Sequence, residues 1–194
     1  PIFIDKPIAL SIKSLQKLYE ISNNPQQIFS CSSMSFCPSF SKLSNCLHDK
    51  ELNLIEFSSP KSWNRYAVHL IDPFIKYLRK SYLNNYKLVI SKSNSSKKET
   101  SIECKLTTSM HPNPITIRIV TTGESLGDLG FCAFNKDQKL ITKESHSKPF
   151  LSFKGALKEF LKINSGNFEG YKFDYNHHNE VVKILQAPIK FITR

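Results

Sequence analysis

With 194 residues, 40 % hydrophobic side chains and 14 Phe, the chain can bury a sizeable core, which excludes global disorder. A formal net charge of +11 favours acidic partners over basic ones. No uncharged apolar run approaches a bilayer span, so membrane insertion is not expected.

Residues 1–6 read as a short strand. The start, Pro1-Ile2-Phe3-Ile4-Asp5-Lys6-Pro7, has no basic region followed by an apolar one, so a signal peptide is not expected. It also lacks Met, so a processed start stays open. Ser11 to Ile21 is expected to be a helix, with Ile12, Leu15, Leu18 and Tyr19 at helical spacing and Asn23-Asn24-Pro25 as its stop.

Residues 26–50 are Ser- and Cys-rich with scattered Phe. They suggest a strand at 27–31 and a short helix from Ser39 to Leu47, within an irregular covering loop or a segment ordered by a partner. Five Cys in a chain of this length do not resemble a secreted disulfide scaffold and favour a reducing compartment. An intracellular site, nuclear or mitochondrial, is expected.

Leu52 to Phe57 is a strand candidate. Ser59-Pro60 has the signature of a helix start, and Asp72-Pro73 repeats it, so a break is expected there. Trp63, Tyr66, Ala67, Leu70 and Ile71 form one apolar stripe, and Phe74, Ile75, Leu78 and Tyr82 a second. Lys76, Arg79 and Lys80 fall three and four residues apart, on the opposite face.

Alternating runs at Tyr86–Ile90 and Ile102–Leu106 precede the strongest strand, Ile115 to Thr121, whose three isoleucines share one face. A hairpin follows across Asn135-Lys136-Asp137-Gln138. Ser152 is expected to cap a helix through Asn164, burying Phe153, Leu157, Phe160 and Leu161. Tyr171–Tyr175 reads as an aromatic strand, and a helix from Asn176 or Asn179 ends near Pro188 before an edge strand at Ile189–Thr193. The short links between strands favour antiparallel pairing. The expected fold is α+β: one domain over residues 1–194, an antiparallel sheet of about five strands, and amphipathic helices mainly on one face.

Motifs that carry chemistry are sparse. Cys31, Cys37, Cys46 and His48 lack the paired-knuckle spacing of structural zinc, so no metal is expected. Gly123 to Gly130 contains two acidic residues and leads into a strand-like run, so it matches neither phosphate-binding pattern, and no cofactor is expected. His177 and His178 are adjacent and would diverge on a helix; with Glu180 they read as a helix start. His69 suits either a core or a polar face.

Charge is the strongest functional signal. Residues 59–100 carry nine Lys/Arg against two Asp/Glu. Phosphate binding needs converging cations, and Lys61, Arg65, Lys76, Arg79, Lys80, Lys92, Lys97 and Lys98 are the candidates. The leading expectation is a non-catalytic subunit of a larger assembly that contacts RNA or DNA through this face. The alternative is a protein-interaction subunit in which a partner orders residues 26–48 and covers Phe29, Phe36 and Phe40. The absence of any local catalytic signature argues against an enzyme, although an active site assembled only by the fold stays open.

Overall fold

The computed structural model describes residues 2–22, 24, 27–96, 98–124, 127–146, 148–165 and 171–192. Strand β1 (Ile2–Phe3) pairs in parallel with β2 (Ile28–Phe29), and α1 (Ile12–Glu20) lies between them in sequence. Ser11 caps α1 by accepting the Ser14 N–H, as its residue type favours. A 3-10 helix (Ser33–Phe36) and two short helices, α2 (Pro38–Ser41) and α3 (Leu43–Leu47), follow. They lead into β3 (Leu52–Ser59), α4 (Trp63–Tyr66) and α5 (Val68–Tyr82). Strands β4 (Tyr86–Ser95), β5 (Thr100–Thr108), β6 (Ile115–Thr121), β7 (Gly130–Asn135) and β8 (Leu140–Ser145) precede α6 (Pro149–Asn164) and α7 (Tyr175–Ile192).

Among the described residues the main sheet has six strands, in the order β4-β5-β6-β3-β7-β8. The chain is α+β as expected, but the sheet is mixed where an antiparallel sheet of about five strands was anticipated. The short links did predict the antiparallel β4–β5–β6 and β7–β8 pairs. They could not place β3, which two helices separate from β4. The chain returns along β6 to lie parallel to β3, with β7 antiparallel on the other side.

Register then builds the core. Cys104, Ile117, Ile55 and Ala133 align across four strands, and so do Ile102, Ile119, Phe57 and Phe131. All eight side chains are buried, against a layer that includes Leu70, Ile71, Phe74 and Leu78 of α5. On the opposite face Arg118 pairs with Glu56 at 3.1 Å in solvent. The alternation of Ile115, Ile117 and Ile119 thus marks the covered face, as strand geometry requires.

Several boundaries differ from expectation. Ser59 closes β3 and caps nothing; the helix begins after Ser62, behind Lys61 at φ 67°. Pro73 lies inside α5, and the change from α4 to α5 falls at Ala67. Asp72 does not start a helix because its carboxylate is turned into the core, where it accepts from Ser32, Ser35 and His177. Tyr171–Asp174 forms no strand. Helix α7 runs through Pro188 in place of the expected edge strand, whose Thr193 lies outside the described residues.

Helix α6 also corrects an expectation. It buries Ser152 and Ala156, while Phe153, Leu157 and Leu161 are exposed. The small residues face inward because the helix approaches the 3-10 segment closely. A Cβ on Gly155 would stand 2.6 Å from the Phe36 Cβ. Gly155→Ala gains about 1 kcal/mol in helix propensity, against an overpacking cost of roughly 1–3 kcal/mol. The expected result is a net loss of about 1 kcal/mol, measurable as a lower urea midpoint at unchanged slope.

Candidate functional site

Helices α4 and α5 place Tyr66, His69 and Asp72 three residues apart, on one side of the helical path. Lys6 enters from the loop after β1, where the Lys6–Pro7 peptide bond is cis. Ser32 and Ser35 come from the segment after β2, and His177 from α7. Residues far apart in sequence therefore meet where the N-terminal segment crosses the helix layer.

Asp72 is the buried centre of this arrangement. Its Oδ2 accepts the Ser32 N–H at 2.9 Å and a short bond from the Ser35 hydroxyl. Its Oδ1 accepts from His177 Nε2 at 2.8 Å. Burial by itself would raise the carboxyl pKa. The His177 imidazole and the serine hydrogen bonds outweigh burial and hold it below the usual carboxylate range. Lys76 lies close by, donating to the Ser35 carbonyl and standing 4.0 Å from the centre of the Phe36 ring. Burial lowers its ammonium to about 8, although Asp72 opposes the shift.

The adjacent His178 is held separately. Its Nε2 donates to the Ser30 carbonyl at 2.8 Å, and its Nδ1 accepts from the Tyr19 hydroxyl at 2.7 Å. Burial, with the neighbouring His177 as the next cause, lowers it to about 4. An unfolded histidine protonates near 6.5, so the unfolded state takes up a proton first as pH falls. This stability is complete above that value and is lost between it and about 4. Taking the protein from about pH 7 to about pH 5 should cost on the order of 2 kcal/mol from this residue. Urea titrations at both pH values should show the loss, and His178→Gln should remove that share of the pH dependence.

Toward solvent, His69 is half-buried, with its Nδ1 2.9 Å from Ser32 Oγ and its ring 5.4 Å from that of Tyr66. Burial first and the Lys6 ammonium second lower His69 to about 4. The Tyr66 hydroxyl accepts from Lys61 Nζ at 2.6 Å. Lys61, through that bond, is the main cause of the lowered Tyr66 pKa, and Lys6 and Arg65 add to it. The Lys61 ammonium, the Tyr66 phenol and the neutral His69 imidazole are thus neighbours on a partly exposed surface, within the field of Lys6 and Arg65. Cations beside a phenol and a neutral imidazole are the chemistry that would suit an anionic or hydroxyl-bearing molecule.

The expected nucleic-acid face does not form. Lys61 donates to Tyr66 and Arg65 is exposed on α4, whereas Lys76 is buried. Arg79 is held bidentately by Asp174 at 2.8 and 3.3 Å. Lys80 is exposed beside it, and Lys92 and Lys98 lie away on the β4–β5 hairpin at the sheet edge. Lys97 lies outside the described residues. The residues expected to meet a partner are also used internally. Phe29 is 1 % and Phe40 0 % exposed, and Phe36 packs on α6 and under Lys76. The chain's own packing therefore orders residues 27–48.

Lys6, Ser32 and the buried role of Asp72 were missed from sequence. The spacing of Tyr66, His69 and Asp72 is an available signal, but Tyr66 also fits the apolar stripe and Asp72-Pro73 also fits a helix start. His177 and His178 do diverge as adjacent helical residues must, yet both point into the protein.

No protein-family model and no curated protein matches the chain. Solved structures do. The chain is similar to a dehydrogenase (MviM) from Clostridium difficile at 16 % identity, with 97 % of this chain and 70 % of that chain covered and a TM-score of 0.57. An oxidoreductase from Thermotoga maritima gives 8 % identity, 97 % and 68 % coverage and a TM-score of 0.60. GenD2 from gentamicin A biosynthesis, solved in complex with NAD, gives 9 % identity, 97 % and 68 % coverage and 0.60. At these identities the likeness establishes the fold. It also overturns the expectation of a non-catalytic RNA- or DNA-binding subunit or interaction scaffold. The fold is one carried by dehydrogenases and oxidoreductases, and among the described residues the cations of 61–98 are dispersed or paired.

Proposed function

We propose that this chain supplies substrate binding and proton transfer for an oxidoreductase acting on a small, polar, hydroxyl- or carbonyl-bearing anion. The observation that carries this reading is the Lys61–Tyr66 hydrogen bond beside the His69 ring, with the Lys6 charge acting on both Tyr66 and His69. The dehydrogenase fold supports it. Interconversion of an alcohol and a carbonyl moves a proton on or off the substrate oxygen, and a positioned ammonium and imidazole serve that step. Lys61 and Arg65 would hold a carboxylate or phosphate on the same molecule.

A dinucleotide does not fit the described residues. A pyrophosphate cradle needs a glycine-rich turn that opens a helix. Here the glycine-rich run joins β6 to β7, strand to strand, and carries the Glu124 and Asp128 carboxylates. The proposal therefore covers the proton and the substrate only.

The test is a panel of hydroxy acids, keto acids and sugar phosphates titrated into the full chain, with binding followed by NMR. Expected are shifts centred on Lys6, Tyr66 and His69, weakened about tenfold or more by Arg65→Ala, on the scale of one lost charged hydrogen bond. Shifts centred elsewhere, or no binding across the panel, would overturn the reading.

A further inference from the structure

The hydrogen bonds around Ser32 decide which nitrogen of His69 carries the hydrogen. Ser32 caps the 3-10 helix, and its Oγ accepts the Met34 N–H at 3.1 Å. Its backbone N–H is given to Asp72, which fixes the residue from the other side. The side chain is completely buried. A serine hydroxyl has one hydrogen to donate. Among the described residues, the acceptor that this hydrogen meets is His69 Nδ1, at 2.9 Å.

We infer that Ser32 is a positioning residue: it donates to His69 Nδ1 and so keeps the imidazole neutral with its hydrogen on Nε2, the nitrogen left to face a substrate. This inference rests on the function proposed above. It makes His69 a fixed hydrogen-bond donor that stabilises negative charge on the substrate oxygen, rather than the group that takes its proton. The depressed basicity of His69 agrees with this role, because the ring stays neutral through the physiological range. A neutral imidazole that donates from one nitrogen polarises a carbonyl without taking its proton.

The experiment is histidine-labelled NMR of the full chain, in which nitrogen shifts and ring couplings report the tautomer directly. Wild type should show His69 with its hydrogen on Nε2 alone. Ser32→Ala should give a mixture of tautomers or move the hydrogen to Nδ1, and Ser32→Thr, which keeps a hydroxyl, should restore Nε2–H. With a substrate in hand, Ser32→Ala should lower kcat by about 10²-fold, the scale of a misplaced reacting group, with a smaller change in KM. The wild-type pH profile should show no inflection at the ordinary histidine value. If Ser32→Ala does not fold, the wild-type tautomer and the Thr variant still decide the matter. Hydrogen on Nδ1 in wild type, or an unchanged tautomer in a folded Ser32→Ala, overturns the inference. A failed ligand panel with an Nε2–H ring would sink the functional reading alone, and turnover with an Nδ1–H ring would sink this inference alone.

Discussion

Replacing Lys6 by Met should reduce turnover by about 10²–10⁴-fold, the usual worth of a positioned acid or base. The stem of Met retains the half-buried packing of Lys6, so thermal unfolding should change little. His69 should respond as well. Lys6 is the largest charge lowering its pKa, so Lys6→Met should move the His69 titration up from about 4 toward the ordinary value. NMR titration of the ring checks this without a substrate. An unmoved His69 would mean that the two groups do not share a site. Undiminished turnover with a moved His69 would confine the role of Lys6 to electrostatics.

The second large effect is expected at Asp72. Asp72→Ala leaves the Ser32 N–H, the Ser35 hydroxyl and the His177 ring N–H without their buried acceptor. It also removes the carboxylate that supports the buried Lys76 ammonium. Breaking a buried pair on one side costs about 3–5 kcal/mol, a large part of a typical domain's total stability. Urea unfolding should show that loss. Adding Lys76→Met should recover part of it, because the uncompensated ammonium goes with the substitution. The pH dependence follows from the lowered folded-state pKa of Asp72. Its contribution is complete above the unfolded carboxylate value near 4 and is lost as pH falls through the lower folded value. Acid unfolding should therefore come earlier for Asp72→Asn than for wild type. Equal midpoints would show that the carboxylate charge contributes nothing to the fold.

Both predictions fall on residues that sequence reading set aside, and the reason is physical. Lys6 was one cation among many in a short stretch with no periodic pattern. Asp72 stands before Pro73, where a turn or cap is the common outcome. Its actual partners lie about 40 residues before it and about 100 after it, a separation that local pattern cannot represent. The basic face failed for a related reason. Helical spacing puts Lys76, Arg79 and Lys80 on one side of α5, but spacing cannot say that the 3-10 segment and the residues before α7 cover that side. They do over Lys76 and Arg79, so Lys76 is buried and Arg79 is neutralised by Asp174, while Lys80 stays exposed.

The exposed stripe on α6 teaches the converse. Phe153, Leu157 and Leu161 have core periodicity, yet Gly155 and Ala156 occupy the packed side, because close approach to Phe36 selects small residues over large ones. Hydrophobicity marks which residues gain from burial. The space between two elements decides which of them can have it.

By itself the sequence determined which segments are strands in the β4–β6 region and which face of each is apolar, because a period of two is set by the geometry of the pleat. It also determined the start of α1, since a Ser side chain satisfies an orphan N–H within its own turn. Only the tertiary structure decided the place of β3 between β6 and β7, the burial of Lys76 and Asp72, and the meeting of Lys6, Ser32 and His69. Those features rest on contacts between distant segments, and the free energy of such contacts exists only once the intervening chain has folded around them.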